Sequence, residues 1–409
     1  MRTVLSNGLT VLSQEHDNSR NTYVSLCIKA GYAHDPAGKS GLSHLVEHLT
    51  VFGGTMRQNN FEIAKNIAGA IGELKGGTTC TYQTIDFSAR PKFLPKLLKT
   101  IRDKIITTEY NEEFVSEQAR RLIELLSNVE NPIKRTDDIL KGVLLGGWWP
   151  DEIPSFENIT RTDAAKFKQT YFVPNNMILI IAGDFEQKAL HKKIEKIFGS
   201  LEPKDVPVLK NPDFSNKEET FQVQHYGKLA YVEGGKICKG PLADTYSALE
   251  CVRTILYNGY QTGKLFCELS IKKGLCYSLD VSNSPITSSI SLFSWSSEGC
   301  HPDKVSVVRD IFGQQLQSMA DGVISKDELN TARKYLLDEI DGKKEDSESS
   351  VECLLHNELF GVPTHTRQSR ELLKIDRKDI QDIVQKELIG DYTTAVLIPS
   401  VYQEQQQNT

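Results

Sequence analysis

The feature that most constrains the fold is an internal duplication. The second half of the chain repeats the order of helices and strands that the first half predicts. The helical pattern at 116–131 (SEQARRLIELLSNVEN) corresponds to that at 329–344 (LNTARKYLLDEIDGKK). Segment 160–184 predicts a helix, a turn and a buried strand, and it corresponds to 374–400. The repeated unit spans about half of the 409 residues. The sequence therefore predicts a duplicated α/β unit and not a short-period solenoid.

Turn and linker signals divide the chain further. Asn7-Gly8 lies between two short apolar stretches and predicts a β-hairpin. The stretch 201–220 has three prolines, many charges and no periodicity, which is typical of a linker. We predict a first domain at 1–205, a linker at 206–219 and a second domain at 220–409.

Composition narrows the class of protein. Hydrophobic residues make up 39% of the chain and charged residues 25%, and the net charge is −6. These values are ordinary for a globular protein and give no basis for binding nucleic acid or an anionic membrane. The N-terminus has no signal-peptide pattern, and no apolar run reaches the length of a membrane span. We expect a cytoplasmic location, with a matured organellar form left open.

Eight cysteines occur without any C-x-x-C pair, which argues against a zinc ribbon. Most of them lie inside apolar runs. We expect these residues to be small buried hydrophobic groups in a reducing compartment.

Two patterns overlap in GKSGLSHLVEHLTVFGGT, residues 38–55, and the first is a loosened phosphate-binding loop. The stretch Ala33–Ser40 ends in Gly38-Lys39-Ser40, follows a predicted strand and precedes a predicted helix. Ala33 replaces the first glycine of that motif, and Pro36 removes one of the backbone N–H groups that would bind phosphate. Nucleotide binding is therefore the weaker interpretation.

The second pattern is His44-Leu45-Val46-Glu47-His48, within a predicted amphipathic helix. His44 and His48 are four residues apart, so both rings leave the same face of the helix and can reach one metal ion. Glu47 lies on the same side, where it can reach a metal-bound water. H-x-x-E-H is the inverse of the common H-E-x-x-H zinc-peptidase motif. A polar helix face with two incidental histidines is the alternative.

A catalytic zinc needs a third protein ligand, and the best candidate lies in SEQARRLIELL. Glu117 and Glu124 are two helical turns apart and share one face of the predicted helix. In the duplicated half, Asn330 and Leu337 occupy the corresponding positions. The acidic pair is therefore specific to the half that carries the histidines, although two solvated glutamates would give the same pattern.

HLVEH, followed by E-x6-E, resembles the M16 zinc metallopeptidases, the insulinase or pitrilysin family. The length and two-half build are similar to those of its short-chain members, such as mitochondrial processing peptidase subunits and small bacterial relatives. Two more segments resemble the family, KFKQTYFVPNNMILIIAGDF and GKLFCELSIKKGLCYSL. The resemblance implies an α+β fold of two homologous α/β domains. Each would have a mainly antiparallel sheet covered by helices, and the two would enclose a chamber.

The resemblance also implies roles for individual residues. His44, His48 and Glu124 would bind Zn²⁺, and Glu117 would orient the site from behind the ligands. Glu47 would act as the general base and then as the general acid in peptide hydrolysis.

The resemblance further implies substrate-binding residues in both halves. An edge strand of the zinc domain would bind the peptide as an added β-strand; here it would contain Gly77, Thr78 and Thr79, although the family's Asn-Ala-x-Thr pattern is absent. In the second half the family has an arginine seven positions before a tyrosine. Tyr277 is present, but Ser270 stands where the arginine is expected.

The expected function is that of a zinc-dependent endopeptidase acting on short or unfolded peptides. Because the zinc half is intact and the arginine is missing, the chain is expected to work as a homodimer or as the zinc-bearing subunit of a heterodimer. The partner in that heterodimer would be an M16-like chain carrying the Arg/Tyr pair. The alternative is a non-catalytic assembly subunit that keeps the fold.

Overall fold

The computed structural model describes residues 1–17, 19–55, 60–69, 72–107, 110–127, 131–150, 156–210, 214, 216–259 and 262–400. The chain divides into two units, each formed from separate stretches of sequence. Unit 1 comprises Met1–Asn128, Gly147–Asn211 and Lys343–His356, and unit 2 comprises Val129–Gly146, Pro212–Gly342 and Asn357–Thr409.

Unit 1 contains a six-stranded sheet in the order β1-β2-β6-β3-β5-β4. Its strands are β1 (Arg2–Val4), β2 (Thr10–Glu15), β3 (Thr22–Ile28), β4 (Glu73–Thr78), β5 (Gln83–Ala89) and β6 (Met177–Gly183). β2 and β6 are parallel, and the other neighbouring pairs are antiparallel. The predicted hairpin at Asn7-Gly8 is confirmed, because β1 pairs with β2 across that turn. β4 lies at one edge of the sheet.

Helices cover this sheet and supply one continuous apolar core. They are α1 (Leu42–Phe52), α2 (Asn60–Gly69), α3 (Leu94–Ile106), α4 (Glu112–Ser127), α6 (Arg161–Tyr171) and α7 (Gln187–Phe198), with α5 (Pro132–Leu145) belonging to unit 2. β6 is buried along its whole length, as expected for a central strand.

Unit 2 repeats the topology with a five-stranded sheet in the order β7-β11-β8-β10-β9. Its strands are β7 (Glu219–His225), β8 (Ala230–Lys239), β9 (Leu279–Pro285), β10 (Ile290–Cys300) and β11 (Thr393–Pro399). β7 and β11 are the one parallel pair described in this sheet, as β2 and β6 are in unit 1. The predicted duplication and the mainly antiparallel α+β fold class are therefore confirmed.

The remaining helices follow the same order as in the first half. They are α8 (Tyr246–Leu256), α9 (Lys264–Phe266), α10 (Val305–Ala320), α11 (Lys326–Glu345), α12 (Ser347–Phe360), α13 (His365–Leu372) and α14 (Arg377–Ile383). None of the helices in the described ranges combines the length and the apolar character that crossing a membrane requires.

The units are not the two contiguous stretches 1–205 and 220–409, because each half of the sequence gives a segment to the other unit. α5 packs on β8 and β11 of unit 2, with Leu140 and Leu144 buried. Residues 343–356 join unit 1, where Ser350 contacts His16 at 3.1 Å. The segment that follows α4 in the first half belongs to unit 2, and the corresponding segment at the end of α11 in the second half belongs to unit 1.

Candidate metal centre

Helix α1 carries the candidate site. Leu42, Leu45, Val46 and Leu49 form its buried face, as the helical spacing predicts. Gly41 precedes the helix with φ of +88°, a conformation that favours glycine. The buried face fixes the rotation of the helix about its axis, so the remaining face presents the histidines.

Charged side chains hold both ends of α1. The Asp35 carboxylate accepts hydrogen bonds from the N–H groups of Gly41 and Ser43, each at 2.8 Å. At the other end, the buried Lys104 Nζ donates to the carbonyls of Thr50, Val51 and Gly53 at 2.8–3.0 Å. An anion at the N-terminus and a cation at the C-terminus both oppose the helix dipole, which stabilises the helix.

The structure brings His44, Glu47 and His48 together. One ligand atom from each lies within 4.8 Å of the others. His44 Nε2 is 3.8 Å from Glu47 Oε2, and the two imidazole rings are 4.9 Å apart at 79° to each other. The motif therefore forms a compact nitrogen and oxygen donor group on one helix face.

Neighbouring side chains orient the two imidazoles. Tyr32 Oη lies 3.4 Å from His44 Nδ1. Burial lowers the pKa of His48, against an opposing hydrogen bond with Gln118 of α4. A neutral imidazole is the form that binds a metal ion. Hydrogen bonds to ligand side chains of this kind fix ring orientation in metal sites.

Glu47 is almost completely buried and lies against the edge strand. A Cβ atom built on Gly76 would stand 1.9 Å from Glu47 Oε1, so the carboxylate occupies the space above this glycine. Thr78 Oγ1 makes a long hydrogen bond of 3.5 Å to Glu47 Oε2. Burial raises the pKa of Glu47 to about 8, against the smaller opposing effect of Thr78.

The two glutamates of α4 are not part of the cluster. Glu117 is partly exposed and pairs with Arg121 one turn away. Glu124 is exposed and is not among the grouped donors of the described residues. From α4, Gln118 forms a side-chain hydrogen bond with His48. The roles of Glu124 as third ligand and of Glu117 behind the ligands remain predictions.

The residues present fit a zinc ion in their donor chemistry. Two imidazoles one helical turn apart, with a carboxylate beside them, are ligand types that zinc prefers. The cluster offers two imidazole nitrogens and one carboxylate, whereas a catalytic zinc site generally has three protein ligands and an open position.

The phosphate-loop interpretation of Ala33–Ser40 finds no support in the structure. The N–H groups at the start of α1, which a phosphate would need, already bind the Asp35 carboxylate. Lys39 pairs with Asp163 at 3.0 Å and also donates to the carbonyl of Asn158. Both the anion site and the lysine are thus used within the protein.

The predicted substrate-binding residues of the first half lie at the sheet edge. Gly77 and Thr78 end β4, and Thr79 follows it. β4 pairs with β5 alone among the described strands, which leaves its other edge without a strand partner there. Their role in binding a peptide remains a prediction.

Ser270 and Tyr277 of unit 2 line one cavity of about 600 Å³, together with Lys273 and Lys304. Tyr277 is exposed. The structure therefore places the tyrosine and the serine in a common cavity wall, with two lysines in place of an arginine.

Sequence reasoning missed Asp35, Lys104, Gln118 and Gly76. Lys104 could have been found, because it falls on the apolar face of its helix with Leu97, Ile101 and Ile105. A lysine at such a position is buried and needs partners. Gln118 and Gly76 carry no motif, since their importance comes only from what the fold brings next to them.

Comparison with known proteins agrees with this two-unit fold and places it among two-domain peptidases. The family model described as "Insulinase (Peptidase family M16)" matches residues 10–140, and "Peptidase M16 inactive domain" matches residues 158–336. The chain belongs to the M16 peptidase family and resembles its short-chain members.

Some relatives match nearly the full length of the chain and others match about half of it, all at low identity. An uncharacterized zinc protease of Rickettsia bellii is 22% identical over 97% of this chain and 97% of its own. The probable mitochondrial-processing peptidase subunit beta of Schizosaccharomyces pombe is 26% identical over 49% of this chain and 45% of that protein. The crystal structure of a protease from Helicobacter pylori has a TM-score of 0.85 and 21% identity, covering 98% of this chain and 99% of that chain. This last likeness shows the fold.

Proposed function

We propose that the chain is a zinc-dependent endopeptidase that hydrolyses short or unfolded peptides. The observation that carries the proposal is the position of the buried Glu47 side chain, which lies beside His44 and His48 in one compact donor cluster. A carboxylate placed beside a metal-bound water can accept a proton from that water and return it to a leaving group. Relatives named as zinc proteases support the same reaction class.

Each residue has a distinct part in this proposal. His44 and His48 would hold the zinc ion, with Glu124 as the third ligand. Bound zinc acidifies a water molecule and polarises a carbonyl group. Glu47 takes the proton from the attacking water and passes it to the leaving amine, so the peptide bond is hydrolysed without a covalent intermediate. Tyr32 and Gln118 keep the imidazoles in place.

The edge of β4 that has no strand partner among the described residues would hold the peptide as an added strand, through Gly77, Thr78 and Thr79. Backbone hydrogen bonds of this kind recognise extended chains with loose side-chain preference. The proposed substrates are therefore peptides or unfolded segments rather than folded proteins.

We also propose that the chain is the zinc-bearing member of a pair. Ser270 cannot supply the bidentate donors of a guanidinium, and Lys273 and Lys304 are not equivalent to arginine. A partner with the Arg/Tyr pair would complete the machinery, and a weakly active homodimer is the alternative. The similarity to a processing peptidase beta subunit supports the first arrangement.

The test compares wild type with Glu47→Gln for zinc content and for cleavage of a mixed library of short peptides. We expect both proteins to bind one zinc ion and only wild type to cleave. Glu113→Gln, an exposed residue of α4, is the matched control and should behave as wild type. Cleavage that survives in Glu47→Gln would contradict the assigned base.

The partner is tested on the same assay with Ser270→Arg. If the chain lacks only a guanidinium beside Tyr277, this variant should cleave faster than wild type when each is assayed alone. Full activity of the wild-type chain alone would contradict the need for a partner.

The second candidate function is a non-catalytic assembly subunit. The exposed position of Glu124 and the match of residues 158–336 to an inactive domain favour it. Absence of stoichiometric zinc, and of cleavage by wild type in the presence of any M16-like partner, would support this alternative.

A further inference from the structure

Two cysteines of unit 2 face each other at the entrance to its β9–β10 hairpin. Cys276 and Cys300 are directly opposed in an isolated antiparallel bridge. The bridge continues the register in which Leu279 lies opposite Ser297. Between the Cys276–Cys300 pair and the Leu279–Ser297 pair, the Glu298 N–H donates a hydrogen bond to the Ser278 carbonyl at 2.9 Å. The opposition of the two cysteines is therefore set by strand pairing and not by a chance rotamer.

Strand geometry brings these two residues within reach of a covalent bond. Directly opposed residues of antiparallel strands have Cα atoms about 4.5–5.5 Å apart, and disulfides span Cα distances of about 4.4–6.8 Å. Their side chains leave the same face of the ladder. Both thiols are free in the structure.

The pair is buried from bulk solvent but borders a cavity. Cys276 is 6% exposed and Cys300 1%. Both line the 600 Å³ cavity that also contains Ser270 and Tyr277. Burial raises the pKa of both thiols, to about 11 for Cys300, where the neighbouring Cys276 adds to the effect and the Ser297 hydroxyl opposes it.

We propose that Cys276 and Cys300 form a reversible disulfide, which ties the segment carrying Tyr277 to the end of β10. The oxidant is a small disulfide of the glutathione class. One cysteine thiolate attacks a sulfur of that disulfide and releases one thiol. The other cysteine attacks the resulting mixed disulfide and releases the second thiol. Two protein thiols are oxidised, one small disulfide is reduced to two thiols, and the two protons pass to the released thiols.

This disulfide forms and is reduced reversibly rather than being a permanent structural bond. Opposed Cβ atoms lie about 4.5–5.5 Å apart, whereas a disulfide requires about 3.5–4.5 Å. The strands must therefore approach each other when the bond forms, and a strained disulfide is easily reduced. This inference depends on neither zinc nor cleavage, and it goes beyond the proposed function.

The experiment uses the folded full-length chain treated with oxidised glutathione, quenched with an alkylating reagent and digested with trypsin. One tryptic peptide, 274–304, contains both cysteines. We expect it to be lighter by two hydrogen atoms than the reduced peptide and to resist alkylation. Cleavage after Glu298 should then leave two fragments that separate only on reduction. Excess reduced glutathione should restore both thiols in the folded protein.

Variants distinguish this pair from general thiol reactivity. Cys276→Ser and Cys300→Ser should each abolish the link, while Cys267→Ser, which removes a more exposed thiol nearby, should leave it intact. Hydrogen exchange of residues 275–278 should slow in the linked form. Two separate glutathione adducts on peptide 274–304, or two unmodified thiols while Cys267 reacts, would overturn the proposal. Formation of the link only in denaturant would overturn it as well.

Discussion

At the scale of single residues, the candidate centre depends on close approaches that its motif does not contain. Glu47 packs against Gly76 of the edge strand β4, and burial raises the pKa of its carboxyl group. The motif contributes the side chains of the cluster, but the absence of a side chain at Gly76 leaves the space that the Glu47 carboxylate occupies. A motif of five residues therefore needs at least one partner from another element.

The first prediction concerns that space. Gly76→Ala would place a Cβ atom 1.9 Å from Glu47 Oε1, so the carboxylate must move. Because a displacement of about 1 Å can cost about 10²-fold in rate, we expect a loss of that order in peptide cleavage with zinc content unchanged. Both are measured on the purified protein.

Gly77→Ala is the matched comparison on the same strand. The nearest atom to its new Cβ would be Thr84 Oγ1 at 3.4 Å, an ordinary contact, so this variant should lose less activity than Gly76→Ala. Equal losses in the two variants would point to the strand and its peptide rather than to the position of Glu47.

At the scale of elements, α1 is stabilised at its two ends by residues from outside the helix. Its C-terminal carbonyls depend on one buried lysine, Lys104 of α3. Sequence patterns predicted α1 well, because its apolar face is periodic. They did not reveal Asp35 or Lys104, because capping across elements depends on tertiary contacts.

The second prediction tests the lysine cap. Lys104→Met keeps most of the side-chain volume but leaves three buried carbonyls without a donor, so we expect the free energy of unfolding to fall by about 2–4 kcal/mol. Denaturant titration measures the change. Lys99→Met, at an exposed position of the same helix, should change the free energy by less than about 0.5 kcal/mol. Equal effects of the two substitutions would exclude a capping role for Lys104.

The third prediction concerns the contact between β8 and α5 within unit 2. Glu233 of β8 is 5% exposed, and burial raises its pKa to about 8. Asp137 of α5 and Asp280 of β9 add to the increase, whereas Lys141 and Thr136 of α5 oppose it. The folded protein therefore holds this proton more tightly than the unfolded chain does, because the pKa of the same carboxyl group in the unfolded chain has its ordinary value near 4.5.

The sign of the pH effect follows from that difference. The stability contributed by protonated Glu233 is complete below about pH 4.5 and is lost as the pH rises through about 8. The side chain of Glu233→Gln stays neutral at every pH. The unfolding free energy of this variant should therefore increase relative to that of wild type as the pH rises from 5 to 8, by at most about 1.4 kcal/mol per pH unit. Glu219→Gln, an exposed residue of β7, should show no such gain. Denaturant titrations at the two pH values measure it, and parallel curves for wild type and Glu233→Gln would contradict the assignment.

At the scale of the whole molecule, the duplication could be predicted from the sequence, but the division of its segments between the two units could not. The two sheets have matching strand orders, and the periodic segments at β6 and β11 revealed this correspondence. The exchange of α5 and residues 343–356 could not be predicted, because an apolar helix face does not show which sheet it covers. For the same reason the motif indicated that His44, Glu47 and His48 lie together, whereas the role of Glu124 depends on side-chain placement in a neighbouring helix and stays a prediction.

The last prediction follows from that exchange. A chain divided between Asn211 and Pro212 gives a first fragment without residues 343–356 and a second fragment without α5. In the first fragment, Leu140 and Leu144 of α5 lose their sheet, and burial of each is worth about 1.5–3 kcal/mol. In the second fragment, Gly235 of β8 loses its contact with Leu140 of α5. The closeness of this contact is shown by a Cβ atom built on Gly235, which would lie 2.8 Å from Leu140 Cδ2. We therefore expect neither fragment alone to unfold cooperatively in thermal denaturation followed by circular dichroism.

Mixing the two fragments during refolding should restore a single cooperative transition, because each sheet regains the segment that completes it. The control is the intact chain refolded in the same way. A cooperative transition for the first fragment alone would contradict the exchange. It would instead favour contiguous domains at 1–205 and 220–409, in which residues 343–356 are dispensable for the sheet that carries the metal cluster.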